Sequence, residues 1–178
     1  MRVRRVVTGH DDNGKAVFAS DEHVDPVTVA LVPGAEFHLL WGADHAQTFP
    51  DDGSPTAQPA YFPPLGGYRF GFFTVPPAAS SIPADLDFNL AVAEMDAKLP
   101  GMLARMEPDN PGMHTTDTID FEVVLSGEVV LELDDGAEQV LRRGDTVVQN
   151  GTRHRWANRG TEPAVVAVIL LGAHRASG

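Results

Sequence analysis

Two stretches late in the chain, MHTTDTIDFEVVLSGEV from Met113 and GDTVVQNGTRHRWAN from Gly144, hold the residue types best able to do chemistry. Side chains alternate between the faces of a strand. His114, Thr116, Asp120 and Glu122 therefore share one face of a regular strand, and His154, Trp156 and Asn158 share a face of another. Two imidazoles and a carboxylate converging from two strands make a facial set with open positions, suited to Fe(II) and equally acceptable to Zn, Mn or Ni. The spacing does not choose among these metals. The chain has no cysteine, which excludes disulfide staples and thiolate sites and leaves histidine and carboxylate as the strong ligands. Glu122, two residues past Asp120, is a candidate general base or fourth ligand, or else a solvated strand residue.

The elements that must position these groups are short strands. Phe121 to Leu125 and Val129 to Leu133 alternate, Gly127 bends the chain between them, and Asp135-Gly136 is a hairpin signal. Strands at Gln139–Leu141, Thr146–Gln149, His154–Asn158 and Ala164–Leu171 complete the set, an antiparallel barrel or sandwich. The first third is also strand-rich, at Arg2–Val7, Ala16–Ser20, Val27–Leu31 and Phe37–Trp41, with HDDNGK as the first hairpin. Between Gly42 and Gly67 runs a Pro, Gly and Asp segment longer than ordinary connections. Tyr61, Phe62 and Leu65 anchor it as a flap over the barrel. Tyr68–Val75 reads as a strand. Residues 84–106 read as the one helix, capped by Asp85 or Asp87 and ended or kinked at Pro100-Gly101. Its Phe88, Ala91, Val92, Met95 and Leu99 stripe either roofs a cavity or simply packs on the sheet.

These residues and turns resemble the paired motifs of the cupin superfamily, in its small single-domain conserved-barrel form. With Gly127 fixing the register, Asp120 falls at the family's glutamate position, His114 at its first histidine and Thr116 at its second. Gly144, Gly151, His154 and Asn158 match the later motif, and His154 takes the place of the final histidine ligand. Thr116 in place of a histidine makes this a three-ligand version of the site. The resemblance implies an all-β fold, an antiparallel jelly-roll barrel with an N-terminal strand extension and one helix region. Residues 1–83 would be the extension with its loop 42–67, residues 84–106 the helix and residues 107–178 the barrel core, all in one structural domain. It also implies a homodimer.

The function that follows is metal-dependent chemistry on a small, partly apolar organic substrate through His114, Asp120 and His154, with Glu122 moving the proton. An Fe(II) site gives a dioxygenase; a Zn or similar site gives a Lewis-acid lyase, cyclase or decarboxylase. The alternative is a non-catalytic sensor or carrier barrel. Thr116, Trp156, Arg69 and Phe73 are candidate substrate contacts, Arg69 as a bidentate partner for a carboxylate. Trp41, Phe73 and Trp156 make an apolar wall, whereas His38 and His45 read as ordinary polar residues.

Composition excludes other classes. Thirteen Lys and Arg against 25 Asp and Glu give a formal charge of −12 and a pI near 4.8, which repels nucleic acid and anionic lipid. There is no G-x-S-x-G, P-loop or dinucleotide fingerprint. A basic N-terminus followed at once by a polar run lacks the apolar core of a secretory signal, so the sequence reads as cytoplasmic.

Overall fold

The computed structural model describes residues 1–80 and 82–176. Among the described residues, ten strands and one α-helix follow the chain: β1 (Val3–His10), β2 (Ala16–Val24), β3 (Phe37–Ala43), β4 (Tyr68–Val75), α1 (Phe88–Lys98), β5 (Thr118–Ser126), β6 (Glu128–Glu132), β7 (Glu138–Arg142), β8 (Thr146–Asn150), β9 (Arg155–Ala157) and β10 (Ala164–Gly172). Every strand pair is antiparallel. A five-stranded sheet in the order β3-β4-β10-β5-β8 and a three-stranded sheet β7-β6-β9 make the jelly-roll, with β1-β2 as a separate ribbon. The two sheets bury Val75, Val124, Val129, Leu131, Leu141 and Val166 between them.

Turn chemistry sets the register of the functional strands. Gly127, between β5 and β6, has φ 76°, and a Cβ there would stand 2.8 Å from the Ala164 Cα. Only glycine fits both the left-handed backbone and that close approach. Asp135, also at positive φ, carries the β6-β7 hairpin.

Four expectations need correction. Val27–Leu31 is not a strand: Val27 makes one bridge to Phe37, and the following backbone is claimed by the helix. Ala30 N–H donates to Glu94 (2.9 Å), and Lys98 Nζ donates to the Thr28 carbonyl (2.8 Å). The helix is shorter than 84–106. Asp87 caps it by accepting from Leu90 N–H (3.1 Å), Pro100 prevents its continuation, and Leu103–Arg105 is a separate 3-10 turn. The division at residue 83 does not separate extension from barrel, because β3 and β4 join the main sheet through β10. Leu65 is 67% exposed and anchors nothing.

The alternation along β5 resolves in favour of its polar residues. Thr118, Asp120, Glu122 and Val124 face inward, while Phe121 and Val123 face out. Register then aligns Phe70, Ile169, Phe121 and Val148 as direct neighbours on four adjacent strands of the outer face. The β1-β2 ribbon packs at the β3 end of that face, where Arg5 lies over Trp41 (5.4 Å) and His38 Nε2 meets the Met1 carbonyl (3.1 Å). No helix among the described residues is long and apolar enough to cross a membrane.

Candidate functional site

A cavity of about 570 Å³ opens between the inner face of the large sheet and a roof made by α1, the turn after it and the 42–67 loop. His114, Asp120, Glu122 and His154 all line it, as do Phe73 and Trp156. The histidines stand together for a local reason. His114 and His154 exchange both backbone hydrogen bonds, 2.9 Å each. Such a directly opposed pair throws its side chains to the same side, and the ring centroids are 4.1 Å apart.

Each ring is oriented by a backbone carbonyl two residues earlier. His114 Nδ1 lies 3.0 Å from the Gly112 oxygen, and His154 Nδ1 lies 2.9 Å from the Thr152 oxygen. A carbonyl can only accept, so both Nδ1 atoms carry the proton and both Nε2 atoms present lone pairs. Burial lowers both imidazole pKa values, His154 to about 4 with help from neighbouring His114, which keeps the pair neutral at pH 7.

The carboxylates come from alternate positions of β5. Asp120 Oδ1 and Glu122 Oε2 are buried and have no hydrogen-bond partner. Desolvation pushes Asp120 up to about 6, and a hydrogen bond from Thr118 offsets part of the rise. Glu122 is pushed up to about 8 by desolvation and then by the Asp120 charge. The site is thus a pole of lone pairs set into an apolar wall, with nitrogen and oxygen donors of the kind that hold a divalent cation. The donor chemistry and the orphaned oxygens fit such an ion. Among the described residues, however, no three His, Asp or Glu side chains stand close enough together to form a metal cluster; the histidine pair is the assembled part.

Other candidates fall elsewhere. Thr116 is buried but lies outside the cavity, its hydroxyl 2.8 Å from that of Thr118. The chain is irregular between His114 and Thr118, so strand alternation does not carry through, and Arg175 holds the kink by donating to the Thr116 carbonyl (2.7 Å). Arg69 does not reach the cavity. Its guanidinium donates to the carbonyls of Ala43 (3.0 Å), Tyr68 (2.9 Å) and Ala60 (3.0 Å) and pairs with Asp44 (2.5 Å), pinning the start of the long loop. Trp41 is on the outer face, so the apolar wall is Phe73 with Trp156, ring centroids 5.9 Å apart. Asn158 is structural, donating to the Val75 (3.0 Å) and Glu162 (2.8 Å) carbonyls. His38 lies outside the cavity and His45 is exposed.

Tyr61 and Phe62 of the expected flap, and Phe88 and Met95 of the helix stripe, line the roof side of the cavity. Tyr61 donates its N–H to the Pro100 carbonyl (2.9 Å), which ties the loop to the end of α1, and meets Phe37 and Phe62 edge-on. Met95, Met102 and Met106 complete the lining. Met102 and Met106, past the end of the helix, are among the lining residues that the sequence reading missed, whereas Met95 belongs to the helix stripe and serves core and roof at once.

The cupin-domain family model matches residues 102–170. The phomopsin biosynthesis cluster protein C' of Diaporthe leptostromiformis is 32% identical over 87% of this chain and 70% of its own length. With the jelly-roll and the paired motifs in place, the chain belongs to the cupin family. A second relative, the cupin-domain-containing oxidoreductase srdD of Neurospora crassa, is 34% identical over 50% of this chain, which spans only 52% of that protein. Among solved structures, a "predicted oxalate decarboxylase" from Thermotoga maritima is similar over 83% of this chain and 92% of its own, at 15% identity and a TM-score of 0.45.

Proposed function

We propose that this cupin is an enzyme that holds a divalent metal at His114, His154 and Asp120 and acts on a small, largely apolar organic molecule in the adjoining cavity. One observation carries this reading. Two imidazoles with their Nδ1 protons committed to carbonyls, and two carboxylates with unpartnered oxygens, face one apolar space without a cation of their own. Leaving such polar groups unpaired in an apolar cavity, with the Asp120 and Glu122 oxygens fully buried, is costly unless a ligand satisfies them. The relatives named as cupin-domain-containing oxidoreductases support an enzymatic role.

A bound ion would supply Lewis acidity or, as Fe(II), redox chemistry with dioxygen. The chain's own residues do the rest. Phe73 and Trp156 hold the apolar body of the substrate, and the Tyr61 and methionine roof excludes water. Glu122 Oε2, two residues from the proposed ligand Asp120, takes or returns the proton. A raised carboxyl pKa close to the working pH suits that role.

Metal analysis of the native protein and of His154→Ala tests the reading, with stoichiometric metal expected in the first and its loss in the second. Turnover by the iron-free zinc form without oxygen would eliminate the dioxygenase version. Among the described residues no three-ligand cluster is assembled, which favours a second reading, a small-molecule-binding barrel without catalysis. That reading predicts no stoichiometric metal in either protein and ligand affinity insensitive to chelator.

We also propose a homodimer joined through the outer face of the five-stranded sheet. Phe70, Phe121, Val123, Val148, Ile169 and Leu171 are each more than a third exposed there. Phe70, Ile169, Phe121 and Val148 are direct neighbours across four strands, so this exposed apolar surface is continuous, as at contacts between protein chains.

A further inference from the structure

We propose that Arg175 is a positioning residue that fastens the turn after His114 to the turn before His154 and so holds the two rings in place. This role rests on the reading of the pair as metal ligands and adds what keeps them aligned. Beyond β10, Ala173 N–H donates to the Asp117 carbonyl (2.8 Å), which brings the chain back to the start of β5. Arg175 follows two residues later. Its Nη2 carries two protons and spends them on the carbonyls of Thr116 (2.7 Å) and Gly151 (2.8 Å). Its Nε donates to Asp117 Oδ1 (2.5 Å), while Arg105 Nη1 holds the other Asp117 oxygen (3.0 Å). Thr116 stands two residues past His114 and Gly151 three before His154, so one guanidinium spans both motifs.

The histidines need such a tie. His114 precedes β5 and His154 precedes β9, and their paired backbone is an isolated bridge outside the strand ladders. On the His154 side the path from the guanidinium to the ring is short. The Gly151 carbonyl and the Thr152 N–H belong to one planar peptide, and the Thr152 carbonyl is the acceptor that orients His154 Nδ1–H (2.9 Å). Gly151 is also fitted closely to the clamp. At φ 58° it has left-handed backbone, and a Cβ there would stand 3.1 Å from the Thr116 oxygen and 3.2 Å from Arg175 Nη2. Arg175 is half exposed, and exposed charge pairs stabilise a fold little, so its loss should fall on ring orientation. Partners that orient metal-binding histidines typically change metal affinity by about 10–100-fold.

The test compares Arg175→Ala with Arg105→Ala, which breaks the other half of the Asp117 cluster without touching either motif carbonyl. In the metal-free protein, NMR of nitrogen-labelled histidines reads the His154 Nδ1–H proton, assigned with His154→Ala. Its exchange with water should quicken at least about tenfold in Arg175→Ala and stay native in Arg105→Ala. Zinc affinity by calorimetry should fall about tenfold in Arg175→Ala alone, with unfolding midpoints of both metal-free variants close to native. Arg175→Lys, whose ammonium also donates to carbonyls, should recover part of both losses. A native exchange rate in Arg175→Ala, or equal losses in Arg105→Ala, overturns the positioning role. A collapsed midpoint in Arg175→Ala with zinc affinity intact makes the residue structural and overturns it too. Native protein that takes up no zinc, with the exchange rates as expected, removes the metal reading and leaves Arg175 positioning the pair.

Discussion

His114 and His154 face one another as a doubly hydrogen-bonded backbone pair, and that pairing sets their rings 4.1 Å apart. The two motifs, forty residues apart in sequence, are thereby joined at the residues that would hold a metal. Replacing either histidine by alanine leaves the backbone bonds available, so the damage should fall on ligand binding more than on folding. Zinc affinity measured by calorimetry should drop at least about tenfold for His114→Ala and His154→Ala, with unfolding midpoints of the metal-free proteins close to native. A midpoint that collapses with metal affinity intact would make the pair structural.

The buried acids give metal-free protein an unusual pH dependence. Glu122 and Asp120 have folded-state pKa values raised to about 8 and about 6, so their contribution is complete below the ordinary carboxylate range and is lost as pH rises through those values. His154, lowered to about 4 from 6.5, works in the opposite sense and contributes fully only above its ordinary value. Between pH 6.5 and 8 the Glu122 carboxyl dominates, and thermal stability should fall across that window. Glu122→Gln should flatten the decline, and saturating zinc should reverse it because the metal binds the deprotonated site.

Arg69 separates a structural cation from a substrate clamp. Arg69→Ala leaves the carbonyls of Ala43, Ala60 and Tyr68 and the Asp44 carboxylate without their partner and should cost about 2–4 kcal/mol in denaturant unfolding. Affinity of the folded protein for the neutral apolar dye N-phenyl-1-naphthylamine should be unchanged. Selective loss of binding for carboxylate-bearing ligands, with stability preserved, would return Arg69 to the site.

Leu99 is fully buried in the cluster of Val29, Met95 and Met102 that seats the roof. Leu99→Ala should cost about 2–5 kcal/mol and loosen the 42–67 loop, which hydrogen exchange at Tyr61 N–H would report, since that group bonds to neighbouring Pro100.

The outer face makes a separate prediction. Light scattering should give twice the 19.1 kDa chain mass, and Phe121→Glu with Ile169→Glu should shift the protein to monomer while the jelly-roll spectrum persists. A native protein that scatters at the chain mass would leave this face without a second copy.

Much of the fold was legible because its cues are local. The aromatic run YRFGFFTV marked the strand Tyr68–Val75 to the residue, and Gly127 and Asp135-Gly136 marked turns whose backbone angles few other residues adopt. The segment at Val27 misled because a β-branched run carries strand propensity whether or not a partner strand exists; here Glu94 and Lys98 of the helix took its backbone groups. Thr116 was placed by extending alternation through a stretch where the chain kinks.

The sequence by itself determined the chemical vocabulary: histidine and carboxylate without thiolate, two motif strands, and an acidic chain. Only the tertiary structure decided which face of β5 turns inward, that Glu122 and Asp120 keep unpartnered oxygens, and that Arg69 is spent on the loop. Residue type and spacing fix what a side chain can do and its phase along one strand. Burial, hydrogen-bond partners and the absence of lining cations depend on elements such as the 42–67 loop and α1, whose meeting over the sheet no local pattern encodes.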